Sequence, residues 1–312
     1  MAGDRLSEEG CDSNSTSASS GGYAVFPVRR PRIANSPKQR CLRRGEQEDA
    51  QVPFPETPRV VYEKNTLEEA KCQIRFPPIL AIEASVPVDF QEAVRGEFPY
   101  FDLKTSVRLP DGVPPHVAKV VQRDLSLVGG KSYVFSSEDR NWIIELRKDG
   151  LSWTCRSYGR WEAFREHLKR ALASLADIYR PSFFTHTCIR YKNAIRRVPL
   201  GLETTTWCDL LQPWTSGPLG MPETADGVEA IQNRCVIRLP NDADRVDANF
   251  AIGVHQPSGE QAFIIEAHVY NDARKELNDV LPRLDVLHQQ AAFFFRWCIT
   301  DELHRAMRPS PV

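Results

Sequence analysis

The sequence predicts an α+β fold, with two similar lobes that each pack an antiparallel sheet against a long amphipathic helix. Three observations carry this. Residues 142–195 read strand, tight turn, strand, amphipathic helix, strand without a break. A second run of strands leads into a second helical stretch over 280–307. Each helix is preceded by a strand–turn–strand, with Lys148-Asp149-Gly150 at the first turn and Pro257-Ser258-Gly259 at the second.

The elements follow in order. Val60-Val61-Tyr62 and Cys72-Gln73-Ile74-Arg75-Phe76 are strand material, and Pro77-Pro78 ends the second, since proline cannot donate to a ladder. A short helix opens at Pro87, with Asp89 as a plausible N-cap, and stops at Phe98-Pro99, because a residue before proline avoids the α region. Strands are expected over 103–109, with a turn-rich loop over 110–115, and over 133–135. Trp142 to Leu146 and Leu151 to Tyr158 form a hairpin around Asp149-Gly150. From Trp161 to Tyr179, large apolar residues at 161, 164, 168, 172, 175 and 178 define one helical face. Thr185 to Ile195 is again a strand. In the second half, strands are expected over 202–211, 235–239, 249–254 and 262–270, with a long loop over 213–226. The final helix has Leu284, Leu287, Ala291, Phe294, Phe295, Cys298 and Leu303 on its apolar face, Pro282 in its first turn and Pro309 beyond its end. This gives a disordered leader over 1–56, a lobe over 57–199 and a lobe over 200–312.

The leader reading rests on the Ser/Gly-rich run from Ser13 to Gly22, which has almost nothing to bury. Val28 to Arg44 then holds seven Lys/Arg and no acid. That is either a basic arm for an acidic partner or a solvated leader. The whole chain of 312 residues has a formal net charge of −1, and residues 1–56 contribute eight bases and eight acids, so the remainder is also at −1. A nucleic-acid-binding domain usually shows a basic excess. No run approaches the ~18 apolar residues of a membrane span, and no apolar leader precedes the strands. The eight cysteines form no Cys-x-x-Cys pair. These features predict a cytoplasmic protein with reduced thiols and no membrane partner.

Motifs with chemistry are sparse. Histidines lack His-x-x-x-His spacing, and His186 with Cys188, or Glu266 with His268, offers two ligands where zinc needs more. No Gly-x-Ser-x-Gly elbow or phosphate loop occurs. The nearest approach to an enzyme is Glu145 near the end of a strand, with Arg147 beyond it and Asp139 upstream, which resembles a metal-dependent nuclease strand. The expectation is therefore no catalytic set, no metal and no cofactor. Candidate ligand-binding residues are Trp153 and Tyr158, with Arg190, Lys192 and Asn193. Exposed on a sheet, such rings stack bases or hold a peptide; turned inward, they fix a helix on a sheet. In an alternating strand, Arg190 and Lys192 point away from Ile189 and Tyr191.

The pieces Cys72 to Leu80, Phe90-Gln91 with Phe98-Pro99, Tyr158, Trp161 and Phe164, Arg190 to Asn193, and Phe295 with Ile299 to Leu303 stand in one order over about residues 57–309. In these the chain resembles a large, sporadically distributed family of uncharacterised bacterial proteins. The resemblance carries over no activity, cofactor or catalytic residue. The patchy distribution of that family is similar to that of host-conflict genes, such as toxin–antitoxin or phage-defence components. The expectation is a non-enzymatic module that binds a protein or peptide in a cleft between lobes or on an open sheet face. The alternative is a nucleic-acid-directed, metal-dependent effector.

Overall fold

The computed structural model describes residues 54–106, 130–221, 223–240, 243–255 and 258–311. The leader expected over 1–56 falls almost wholly outside these, as does the loop expected over 110–115. The described residues fall in one compact unit. In chain order its elements are β1 (Val60–Tyr62), β2 (Leu67–Arg75), α1 (Leu80–Ala84), α2 (Val88–Val94), β3 (Tyr100–Ser106), β4 (Gly130–Ser136), β5 (Trp142–Arg147), β6 (Gly150–Cys155) and α3 (Trp161–Tyr179). There follow β7 (His186–Arg196), the short α4 (Arg197–Leu200), α5 (Trp207–Leu210) and α6 (Pro213–Ser216), and two 3₁₀ turns. The chain then forms β8 (Gln232–Arg238), β9 (Asp244–Val254), β10 (Gln261–Asn271), α7 (Leu277–Cys298), α8 (Asp301–Ala306) and β11 (Pro309–Pro311).

The α+β class holds, but the expected pair of separate sheets does not. Among the described residues nine strands join one antiparallel sheet in the order β3-β4-β5-β6-β2-β7-β10-β9-β8. The joint is the β2–β7 pair, registered from Arg75 opposite His186 to Leu67 opposite Asn193, with a bulge between Leu67 and Glu69. Each strand would otherwise expose an unpaired edge beside an apolar face, and pairing removes both edges. The meander β3 to β6 returns to lie beside β2, and the meander β8 to β10 returns to lie beside β7. The expected lobe boundary at 199/200 falls at the end of α4, inside the compact unit and after β7.

One face of the sheet is apolar because the strands alternate. Ala70, Cys72 and Ile74 of β2, Leu151, Trp153 and Cys155 of β6, and Ile189 and Ile195 of β7 are all buried. Phe263, Ile265 and Val269 of β10 continue it. On the β5–β6 side it is covered by α3, whose Phe164 packs on Trp142 at 5.9 Å between ring centres. On the β7–β10 side it is covered by α7 through Leu284, Leu287, Ala291 and Phe294, all buried. Each of these leucine and phenylalanine side chains contributes roughly 1.5–3 kcal/mol on burial.

Three local readings change. The β5–β6 hairpin forms, but Lys148 and Asp149 make its turn, and Gly150 is the first residue of β6, opposite Arg147. The glycine serves close approach: a Cβ there would lie 3.0 Å from the carbonyl oxygen of Ile74. The strand expected over 202–211 is instead a turn and α5, which buries Trp207 and Leu210 at helical spacing. The last helix breaks at Ile299-Thr300, where Leu211 bridges Ile299 and the Thr300 amide donates to Leu210 O at 3.0 Å. Thr300 then caps α8, its hydroxyl accepting from the Leu303 amide. The chain returns so that β11 pairs with β1, Tyr62 opposite Pro309 and Val60 opposite Pro311. Among the described residues, no helix is long and apolar enough to cross a membrane.

Candidate functional site

A cavity of about 760 Å³ opens where the start of α3 meets α7 beside the centre of the sheet. That size lies within the range of ligand pockets. Six consecutive residues, Thr57 to Tyr62, form one wall. Its last three residues are β1, extended backbone that among the described residues pairs with β11 alone. The opposite side comes from α7 between Asp285 and Arg296, and His304 of α8 adds to the lining. The floor is the end of β7, and the loop Tyr158-Gly159-Arg160 leads to Trp161 at the start of α3.

Two tyrosine–histidine couples lie in this lining. The Tyr191 hydroxyl is 2.8 Å from His288 Nδ1 and 3.4 Å from the Tyr158 hydroxyl. The Tyr62 hydroxyl is 2.8 Å from His304 Nδ1. Burial, with help from Arg59, pushes His288 down to about 4. Burial and Arg296 also lower His304. Burial pushes Tyr62 up to about 12, against the pull of Arg296, and raises Tyr158 and Tyr191 further. At neutral pH all five are uncharged, so the cavity offers neutral donors and acceptors on an aromatic wall.

The rest of the lining is braced. The Trp161 ring stacks on His288 with 4.5 Å between centres and 11° between planes. Its indole N–H donates to Asp285 Oδ1 at 2.8 Å, and Arg165 Nε donates to the same oxygen at 2.7 Å. Arg59 meets Glu162 at 2.6 Å. Asn65 Nδ2 donates to Tyr158 O at 3.2 Å, tying the wall to the loop. Thr66 Oγ1 donates to Asn193 Oδ1 at 3.1 Å. Arg296 meets Asp301 and donates to Ile299 O at 3.2 Å.

Of the five candidate residues, Tyr158 and Asn193 line the cavity. Trp153 does not: alternation on β6 turns it under α3, where it is 1% exposed against Phe98 and Trp142. Arg190 and Lys192 do not either, since they lie on the other face of β7 as their spacing requires. There Arg190 is bracketed by Glu266 at 2.6 Å and Glu69 at 3.0 Å, and Lys192 meets Glu68 at 3.2 Å. His268 Nε2 also donates to Glu266 at 2.8 Å, and these contacts, with Arg190 second, hold the Glu266 carboxyl down at about 2. Cations and carboxylates on this face neutralise one another.

Glu145 is on that polar face as well, bonded to Ser132 and 3.8 Å from Lys71. Among the described residues no three His, Cys, Asp or Glu side chains converge as metal ligands. His186 meets Asp272 at 2.6 Å, away from the face that holds the cavity. Sequence reasoning missed His288, His304 and the 57–62 wall. Histidines were weighed by metal spacing, whereas His288 stands four residues after Leu284 and three before Ala291, on the apolar face of α7. That position was the available signal.

No family model matches the chain, and no curated protein matches it.

Proposed function

We propose that this protein is a non-enzymatic peptide-binding module built from two related halves that meet at the β2–β7 pair, with the cavity at their junction as its binding site. The observation that carries the reading is the wall from Thr57 to Tyr62: its last three residues, the strand β1, line a partly apolar cavity, and among the described residues that strand is paired on one side only. Such an edge accepts an added strand, whose main chain supplies affinity while pockets select side chains. Tyr62, Tyr158, Trp161 and Phe295 supply the apolar and aromatic surface, and the neutral couples supply directional contacts. The two halves are supported by a shared path of central strand, returning meander and covering helix. The resemblance to a patchily distributed bacterial family supports a cytoplasmic role in a host-conflict setting, with a protein partner presenting the peptide.

The test is selection of binders from a phage-displayed peptide library on the full-length chain, followed by titration against Ala292→Trp. Ala292 is exposed on the cavity side of α7, so an indole there fills the cavity without crowding the core. The expected result is a loss of at least about tenfold in affinity, ~1.4 kcal/mol, with an unchanged melting temperature. Binders that hold equally well to Ala292→Trp would place recognition elsewhere and overturn the reading.

A further inference from the structure

We infer that the protein pairs with a second copy of itself through the edge strand β3, in an antiparallel register centred on Leu103. β3 is one end of the nine-stranded sheet, and among the described residues it pairs with β4 alone. Tyr100 to Thr105 are all exposed. Edge strands are usually blunted by a bulge, a proline or like charges, because their free amides and carbonyls invite another strand. β3 has no proline, its register with β4 runs unbroken from Tyr100 opposite Ser136 to Ser106 opposite Gly130, and its two charges, Asp102 and Lys104, are of opposite sign. β8, at the other end of the sheet, carries Arg234 and Arg238 and no acid. β3 is also apolar where it is open. Phe101 is 44% exposed and Leu103 47%, on the face that the helices cover. Phe101 rests on Phe135 at 5.5 Å between ring centres. Tyr133, opposite Leu103, donates its hydroxyl to Ser85 O at 3.2 Å, so the exposed Val86 and Val88 continue this apolar surface beside the strand.

The charges say which strand fits. Opposite residues of antiparallel strands point to the same face, so a strand meets its own copy about a two-fold axis centred on one of its residues. With the axis at Leu103 the two leucines meet and Phe101 faces Thr105 of the second copy. Asp102 then faces Lys104 of the second copy, and symmetry makes that contact twice. Moving the axis by one residue sets Asp102 against Asp102, or Lys104 against Lys104, and like charges directly opposite are destabilising. The strand is therefore complementary to itself in the register that also joins the apolar edges. Asp102 and Lys104 are exposed, and among the described residues no ion pair engages either. No residue that lines the cavity lies in β3, β4 or β5, so the paired form keeps two open cavities.

The experiment is sedimentation velocity on the full-length chain over a concentration series. It compares the parent, Asp102→Lys, Lys104→Asp, an equimolar mixture of these two variants, and the chain with both substitutions. The parent is expected at twice the mass of one chain, dissociating on dilution. Each single variant sets like charges opposite at both contacts and weakens the dimer at least about tenfold. The mixture restores pairing, because each strand then meets one of opposite sign, and the doubly substituted chain restores it alone. Both sites are exposed, so every variant keeps the parent's melting temperature. A parent that stays monomeric at every concentration overturns the inference and leaves the edge to a strand of another protein. A dimer indifferent to either charge reversal, or one that the mixture does not regain, places the contact elsewhere and overturns it as well. Peptide binding at the cavity stands or falls separately.

Discussion

The two long helices begin in comparable places and differ in what closes them. Each starts after a strand that lies beside the centre of the sheet, α3 after β6 and α7 after β10. At the start of α7 the chain is sealed by main chain: Phe184 and Lys275 exchange backbone hydrogen bonds of 2.8 and 2.9 Å. Arg274 lies over the Phe183 ring at 4.1 Å. Below them Arg283 of α7 is paired with buried Asp244, which also accepts from Asn271 Nδ2 at 2.7 Å. At the start of α3 the corresponding approach is made by a side chain, Asn65 on Tyr158 O. A side-chain bridge leaves room that a backbone ladder fills, and the cavity occupies that room. One path through the fold therefore yields a closed corner locked by a buried ion pair and an open one lined by uncharged tyrosine–histidine couples.

The largest effect is expected at the closed corner. Asp244→Asn leaves the half-buried Arg283 guanidinium without its buried counter-charge, and breaking one side of a buried pair costs about 3–5 kcal/mol. Urea unfolding measures it, and a loss below 1 kcal/mol would mean that the corner is held by its backbone bridge. The open corner is predicted to be softer. Trp161→Phe removes the indole N–H from Asp285, which keeps Arg165, and should cost about 2 kcal/mol in the same measurement.

The smallest effect is in pH dependence. His288 has a folded value of about 4 against the ordinary 6.5. The unfolded chain thus binds more protons between these values, and its neutral burial adds stability above 6.5 that is lost as pH falls from 6.5 towards 4. His288→Gln should flatten the stability profile between pH 7 and 5. Glu266, held at about 2, loses its contribution below that window, as pH falls from 4.5 towards 2, and keeps the two separable. A profile of His288→Gln parallel to the parent would place the buried charge cost on another group.

The parts of the molecule that were legible in the sequence are those whose periodicity is local. The helix over 161–179 is found with its expected bounds, and β7 begins one residue later than expected and ends one later, because burial pattern and hydrogen-bonding period coincide there. The joined sheet was hidden, since the β2–β7 pairing links residues more than a hundred positions apart and no local pattern encodes it. The break at Ile299-Thr300 was hidden for a related reason: the apolar spacing runs on through Leu303, and the interruption comes from the chain around Leu210–Gln212 pairing across it. At the site, alternation correctly set Arg190 and Lys192 against Tyr191, but which face would meet a ligand depended on where the helices lie. Trp153 shows the converse, a ring whose type suggested recognition and whose register made it core.

The β1–β11 clasp also fixes when the cavity can form. Tyr62 meets His304 across 242 positions of chain, and β1 has β11 as its partner strand. At ribosomal rates of 5–20 residues per second, the wall made first waits on the order of 10–50 s for the strand and helix that complete it. The first meander can fold in that interval, whereas the cavity cannot yet exist. The cavity is thus among the last features this chain acquires during synthesis, completed only once α8 and β11 are made.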